Sequence, residues 1–354
     1  MGQKYFSAAL DLANERKSCY PYPIISEWIL FIGAFAQIFQ QQLSTQVSLA
    51  VFCGRRKDDS LNYNVFGNEV KQEVEKLLGS EVRVELRQIT KNNGIILEGL
   101  CILEKGSYVS PTIYLEDFYR EYKDGVSLKE IAGRIYDIYE KRCRNIPFSL
   151  EYFLDFEKIK ENIFCKLVNR EMNQELLRDV PSVSFLDLSV VFICAVKNEE
   201  FGNGSVLIRE EHRKHWKVSK ELLYEYAREN TFRLRPFELK SMEELIEDLV
   251  EPEERTLLKE IPMYVLSNRD RVFGAAGILY DRILSSAGAR LEEDFYVLPS
   301  SVHEVILVPG HVAGSEKELH TMVHEVNHTQ VEPEEVLSEN VYHYDRKKHC
   351  LSIC

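Results

Sequence analysis

The chain has 354 residues, enough for two domains and a sizeable core, and its 45% hydrophobic and 29% charged composition is that of an ordinary water-soluble globular protein. A formal net charge of -13 excludes nucleic acid as a partner, because that affinity comes from Lys and Arg neutralising phosphates. The eight cysteines are scattered, none forms a CxxC pair, and most sit in apolar runs such as Val191-Phe192-Ile193-Cys194-Ala195, which excludes a disulfide framework and indicates a reducing cytoplasm.

Residues 1–62 differ from the rest. Ile24 to Phe39 is a mostly apolar stretch, shorter than the about 20 residues a spanning helix needs, and Glu27 interrupts it. Arg16 and Lys17 before it and Ala34-Phe35-Ala36 within it mimic an export signal. Three readings are open: a peripheral hydrophobic helix, such a signal, or an extension without a fold of its own, even translated sequence upstream of the true start. Recognisable domain grammar begins only near Tyr63, which favours the last, so no membrane partner is expected unless the 24–39 segment is real and exposed. Arg55-Arg56-Lys57 runs straight into Asp58-Asp59 and is expected to be a solvated loop.

Helical spacing of Val70, Val74, Leu77 and Leu78 predicts a helix over Asn64 to Leu78, ended by Gly79. Glu81 to Arg87 alternates strictly and predicts a strand, Asn93-Gly94 a tight hairpin, and Ile95 to Leu103 a more apolar returning strand. Tyr108 to Leu115 is a third strand, with Pro111 marking an edge or bulge. Ser127 and Glu130 form a capping box for a helix with Leu128, Ile131, Ala132, Ile135, Ile138 and Tyr139 on one stripe. This completes an α-β-β-β-α unit near Arg144, and a linker is expected between Arg144 and Asp155.

The second region opens with a short helix over Asp155 to Asn162 and an apolar run, Ile163 to Val168. Leu188 to Val196 is a strand that Gly202-Asn203-Gly204 folds back onto Val206 to Ile208; these glycines fit a hairpin, not a phosphate loop. Helices follow over Ser219 to Asn230 and after the Ser241/Glu244 cap, where Leu245, Ile246, Leu249 and Val250 are apolar. Met263 to Leu266, a helix over Gly274 to Leu291, and Phe295 to Leu298 form a βαβ unit. Pro299 breaks that last strand and His303 to Val308 resumes it. Ser315 and Glu318 cap a helix from Glu316 to about Gln330, and Val341 to Tyr344 and Cys350 to Ile353 are short strands. The expected fold class is α+β: two mixed α/β regions with mainly antiparallel sheets, at 63–147 and 148–354, after a non-homologous N-terminal extension at 1–62.

Several phrases resemble a bacterial family, the domain of unknown function family 5688. They are Ile89-Thr90-Lys91-Asn92-Asn93-Gly94, Pro111-Thr112-Ile113-Tyr114-Leu115, Cys165-Lys166-Leu167-Val168-Asn169, Met263-Tyr264-Val265-Leu266-Ser267-Asn268, Phe295 through Val305, Glu325-Val326-Asn327 and Val341-Tyr342-His343-Tyr344-Asp345. The resemblance runs from about residue 63 to the end. The order of elements is also similar to the YtpQ-like family. It implies a cytoplasmic bacterial protein of two α+β regions and supplies no reaction, cofactor or catalytic residue.

The one motif with known chemistry is His324-Glu325-Val326-Asn327-His328. Two His four residues apart share a helix face and can ligate zinc, with the intervening Glu polarising the bound water. His324 and His328 are therefore the candidate metal ligands and Glu325 the candidate catalytic residue. In the extended metzincin spacing the third ligand falls on Glu334, after Pro333, so the required turn is not evident; Glu339 is another nearby carboxylate, and His320, Cys350 and Cys354 are further donors. The helical wheel puts Leu319, Met322, Val323 and Val326 on one side and His320, His324 and His328 nearly opposite, facing solvent. Ser300, Ser301 and His303 read as a strand entry rather than a nucleophile and base. Met172, Asn169 and Asn173 could line a groove, although surface and core roles are the ordinary ones. No cofactor is expected other than zinc. The leading expectation is a non-catalytic cytoplasmic protein that binds another protein. The alternatives are a zinc-dependent hydrolase built on 324–328 and a small-molecule module between the two regions.

Overall fold

The computed structural model of the chain describes residues 57–79, 82–104, 112–143, 150–196, 204–246 and 263–354. The apolar 24–39 segment, the Gly202-Asn203 turn, Tyr108 to Pro111, Leu249 and Val250 lie outside the described residues.

The first unit packs helices α1 (Lys57–Leu78), α2 (Glu116–Lys123) and α3 (Leu128–Ile138) with an antiparallel sheet of β1 (Val82–Thr90), β2 (Ile96–Glu104) and β3 (Thr112–Tyr114) in that order. Phe66, Val70 and Val74 of α1 meet Val84, Leu100 and Ile102 of the sheet and Ile131 and Ile135 of α3 in one core. Ser127 caps α3 by accepting from the Glu130 N–H, as its position demands. Two expectations need correction. α1 begins at Lys57, ahead of the expected Asn64, so Lys57 is helical rather than in a loop, and Arg55 and Arg56 lie outside the described residues. The short α2 was not expected: it has no fully buried residue and only half-buries Phe118 and Tyr119 against this core, too few apolar positions over eight residues to stand out as a period.

The second unit holds helices α4 (Leu150–Leu154), α5 (Phe156–Ile159), α6 (Glu210–Trp216), α7 (Lys220–Leu234), α8 (Met242–Ile246), α9 (Asp281–Leu291) and α10 (Glu316–Thr329) and two sheets. One is β4 (Ile163–Asn169), β6 (Leu188–Val196) and β5 (Ser182–Phe185), with β7 (Gly204–Leu207) paired to β6. The other has six strands in the order β13-β12-β10-β11-β9-β8: β8 (Phe237–Ser241), β9 (Tyr264–Asn268), β10 (Phe295–Leu298), β11 (Val305–Pro309), β12 (Tyr342–Asp345) and β13 (Cys350–Ile353). Every neighbouring pair in both sheets is antiparallel. The α+β class with mainly antiparallel sheets is thus observed. The predicted βαβ unit is modified: β9 and β10 do run parallel, but β11 lies between them and pairs with both.

Alternation along β11 sends Val305 and Leu307 into the large core and Ile306 and Val308 to the opposite face. That opposite face is covered by α10 (Glu316–Thr329) through Leu319, Met322, Val323 and Val326. On the other side, α7 (Lys220–Leu234), a 3-10 turn (Gly274–Leu279) and α9 (Asp281–Leu291) pack with Leu167, Val190 and Phe192 of the smaller sheet. The predicted helix over 274–291 is therefore two pieces. Tyr280 is extended (φ -114°, ψ 105°), and its buried hydroxyl donates to the Arg228 carbonyl, which fixes the break. Gly274 is required, because a Cβ there would lie 2.3 Å from Ser267 Oγ and 2.5 Å from Asn268 N. His303 precedes β11 instead of belonging to it. Among the described residues no helix is long and apolar enough to cross a membrane.

The two units meet at the tip of the β1–β2 hairpin. Asn93 (φ 60°, ψ 25°) and Gly94 (φ 68°) occupy the left-handed region, as the central residues of a type I′ turn must, and the Ile95 N–H closes onto Asn92 O. Asn tolerates that conformation better than other residues with a side chain. The tip is buried in the second unit. The Asn93 N–H donates to Asn173 Oδ1 at 2.8 Å, and Asn173 Nδ2 donates back to Asn93 Oδ1 at 2.8 Å. Asn93 Nδ2 also donates to the carbonyls of Pro333 and Val336, and Asn92 Nδ2 to that of Glu334. Each such bond contributes about 1 kcal/mol net, but leaving its buried partner unmade costs about 1–3. Asn93→Ala is therefore expected to lower the unfolding free energy by about 2–4 kcal/mol, measured by urea titration. Asn93→Gly keeps the turn and loses only the side chain; wild-type stability in that variant would show that the amide contributes nothing.

Candidate functional site

α10 begins with a complete capping box: Ser315 Oγ accepts from the Glu318 N–H and Glu318 Oε2 accepts from the Ser315 N–H. Its apolar side is buried as the spacing requires, which turns His324 and His328 outward; their side chains are 64% and 57% exposed. The two rings lie 4.0 Å apart between centroids, and His328 Nδ1 is 2.9 Å from the His324 carbonyl oxygen.

After the helix the chain turns back, and residues 333–340 bring Glu339 to these rings. Glu339 Oε2 is 3.2 Å from His324 Nδ1 and Oε1 is 3.9 Å from His328 Nδ1. One donor atom from each of His324, His328 and Glu339 lies within 4.8 Å of the others, and all three residues are exposed. Asn327, buried on the same helix, steadies the carboxylate: its Nδ2 donates to Glu339 Oε1 at 3.1 Å and to the Ser338 carbonyl at 2.9 Å. Two imidazoles and a carboxylate are donors suited to a divalent transition metal, with the remaining positions open to solvent.

The other candidates fall elsewhere. Glu325 is exposed and outside the converging set. Glu334 pairs with Lys91 at 3.9 Å in the first unit. Cys350 and Cys354 lie on and just after the edge strand β13, and neither they nor His320 join the three donors. Ser300 and Ser301 are buried; Ser301 Oγ accepts from the backbone N–H of His303, whose ring turns to other partners. Asn169 and Asn173 are buried in hydrogen bonds at the junction of the units, and only Met172 is exposed.

The residue absent from the sequence-based candidates is Lys166. It sits on β4 between Phe164 and Val168, on the face away from the large core. Its Nζ lies 4.6 Å from the centroid of Phe273, a ring stacked on His303 at 5.4 Å and 16°. His303 Nδ1 accepts from the Phe273 N–H, which leaves the proton on Nε2, 3.2 Å from Glu335 Oε1. Among the described residues no carboxylate lies within ion-pair distance of Lys166. Burial, and then the nearby Lys91 cation, push its amine down to about 8 from the ordinary 10.5, opposed by Glu334 and Glu335. A single charge inside Ile163-Phe164-Cys165-Lys166-Leu167-Val168 was the available sequence signal, and apolar flanks made the run look like plain core.

A lysine whose native pKa is depressed destabilises the fold while it is charged. That cost is complete below about pH 8 and fades as pH rises toward 10.5, where the unfolded chain also loses its proton. Lys166→Met is expected to raise the chemical denaturation midpoint near neutral pH, and the advantage is expected to shrink steadily between pH 8 and 10.5.

A family model described as a family of unknown function (DUF5688) matches residues 63–346, and the chain belongs to that family. No curated protein and no solved structure matches it.

Proposed function

We propose that this DUF5688 member is a non-catalytic binding protein of the bacterial cytoplasm. In this reading His324, His328 and Glu339 hold a divalent metal, zinc above all, through which it engages another protein. The observation that carries the reading is the convergence of these three donors on an exposed helix face, with Asn327 bracing the carboxylate. Three protein ligands leave at least one position of a tetrahedral zinc free, and a side chain of a partner can complete it. Metal hydrolysis asks for more: a site that excludes water and orients the substrate around the metal-bound nucleophile. Side chains 64% and 57% exposed favour docking over that chemistry. The cytoplasmic part rests on Cys101, Cys165 and Cys194, which are free and buried; burial pushes Cys165 up to about 12 and Cys194 up to about 11, so neither thiol is reactive.

The hydrolase reading keeps one point in its favour, that its donor set is complete with Glu339 as third ligand. Elemental mass spectrometry of untagged protein separates the outcomes. About one equivalent of zinc is expected, falling to near zero in His324→Ala/His328→Ala and reduced in Glu339→Gln. Glu325→Gln is expected to leave the metal in place, and zinc-loaded protein to cleave no peptide. Peptide cleavage that Glu325→Gln abolishes would establish the hydrolase instead, and absence of metal affinity in the native chain would remove both readings.

A further inference from the structure

An apolar residue at position 166 would suit the outer face of β4 better than a lysine. The cation–π contact with Phe273 offsets only part of the usual cost of keeping a largely buried charge without a carboxylate partner. A side chain kept at such a cost is a candidate for chemistry, and its surroundings are built for it. Lys91 is anchored by Glu334 and lies over the Tyr114 ring. His303 and Glu335 form a proton-carrying pair beside the same Phe273 ring that Lys166 touches. Lys91, Lys166, His303, Glu334 and Glu335 each keep part of their surface exposed, so solvent reaches them. The elements that meet here come from both units: the β1–β2 hairpin tip, β4, the turn before residue 274 and the 333–336 segment.

We propose that Lys166 is a reactive amine that captures a small aldehyde or ketone as an imine at the junction of the two units. The unprotonated Nζ adds to the carbonyl carbon and a carbon–nitrogen bond forms. The carbonyl oxygen then takes up the two amine protons and leaves as water, and the carbon–nitrogen double bond closes. No oxidant or reductant enters, and hydrolysis reverses the step. Lysines that act this way need a share of neutral amine at working pH, which burial beside a second cation provides. The reaction is independent of the metal-site reading, because Lys166 and its neighbours share no donor with His324, His328 or Glu339.

Reductive trapping tests it. The full chain is incubated near neutral pH with propionaldehyde, or with glyoxylate as a carbonyl carrying a carboxylate, together with cyanoborohydride, and digested for peptide mass mapping. Alkylation of Lys166 by either probe is expected to exceed that of exposed lysines such as Lys123 and Lys214 by about tenfold or more, the factor of a single pKa unit. Lys166→Met is expected to lose that adduct and keep the others, and His303→Gln to slow adduct formation at Lys166 alone. Labelling spread over exposed lysines, with Lys166 at or below their level for both probes, overturns the proposal. The wild-type map decides this by itself if Lys166→Met does not fold.

Discussion

The structure depends on how residues 333 to 338 satisfy their backbone. This stretch has no strand partner beyond a single bridge, Ser301 to Val336, yet most of it is buried or half-buried. Its carbonyls are taken one by one: Pro333 and Val336 by the Asn93 amide, Glu334 by Asn92, Glu335 by the Val302 N–H, Leu337 by Asn169 and Ser338 by Asn327. Buried carbonyls without partners each cost on the order of 1–3 kcal/mol, so four asparagines do here what a ladder does in a sheet. Beyond them Asp187 accepts from Ser338, Asn340 and Tyr342 and ties the segment to the smaller sheet. Both candidate sites follow from this arrangement. One end of the segment places Glu334 and Glu335 beside Lys91 and His303, and the other places Glu339 beside His324 and His328.

That logic explains which parts of the molecule were legible in the sequence. Strands with alternating or continuous apolar residues, and helices with Ser caps at 127, 219 and 315, announce themselves through local chemistry. The Asn93-Gly94 turn did so as well. Elements without that local signature were missed: α2 is short and only half-buries Phe118 and Tyr119, and β5 has no fully buried residue. The order of the six-stranded sheet was illegible for another reason. Inserting β11 between β9 and β10 depends on pairing partners remote in sequence, and a βαβ pattern reads the same with or without an intervening strand.

The asparagines were visible as letters and invisible as a network. Asn93 looked like a turn residue and is one, but its side chain works 80 positions away on Asn173 and more than 200 away on Pro333. The stretches on which the resemblance was read, at 89–94, 165–169, 295–305 and 325–327, contribute Asn92, Asn93, Asn169, the carbonyls of Pro299 and Ser300, and Asn327 to this one segment. In HEVNH the spacing fixed which face the histidines share, whereas the carboxylate that meets them is brought by the return of the chain, which no helical wheel contains. Glu334 lies nearer in sequence and is drawn to Lys91; Glu339 lies farther and is held by Asn327.

The two sites also differ in what they cost the fold, and that difference bears on how each should be weighed. Exposed histidines on a capped helix cost almost nothing, so their presence alone carries little information, and the weight falls on the braced carboxylate that meets them. Lys166 is the opposite case. Its position between Phe164 and Val168 would accept Val or Ile with a gain in stability, and no carboxylate among the described residues compensates its charge. Glu334 and Glu335 are close enough to oppose the shift of its amine, yet each is engaged elsewhere, by Lys91 and by His303. The packing that satisfies the backbone carbonyls of residues 333 to 338 leaves this ammonium group without an anion among the described residues, and a small molecule that reacts with its neutral form would relieve that cost.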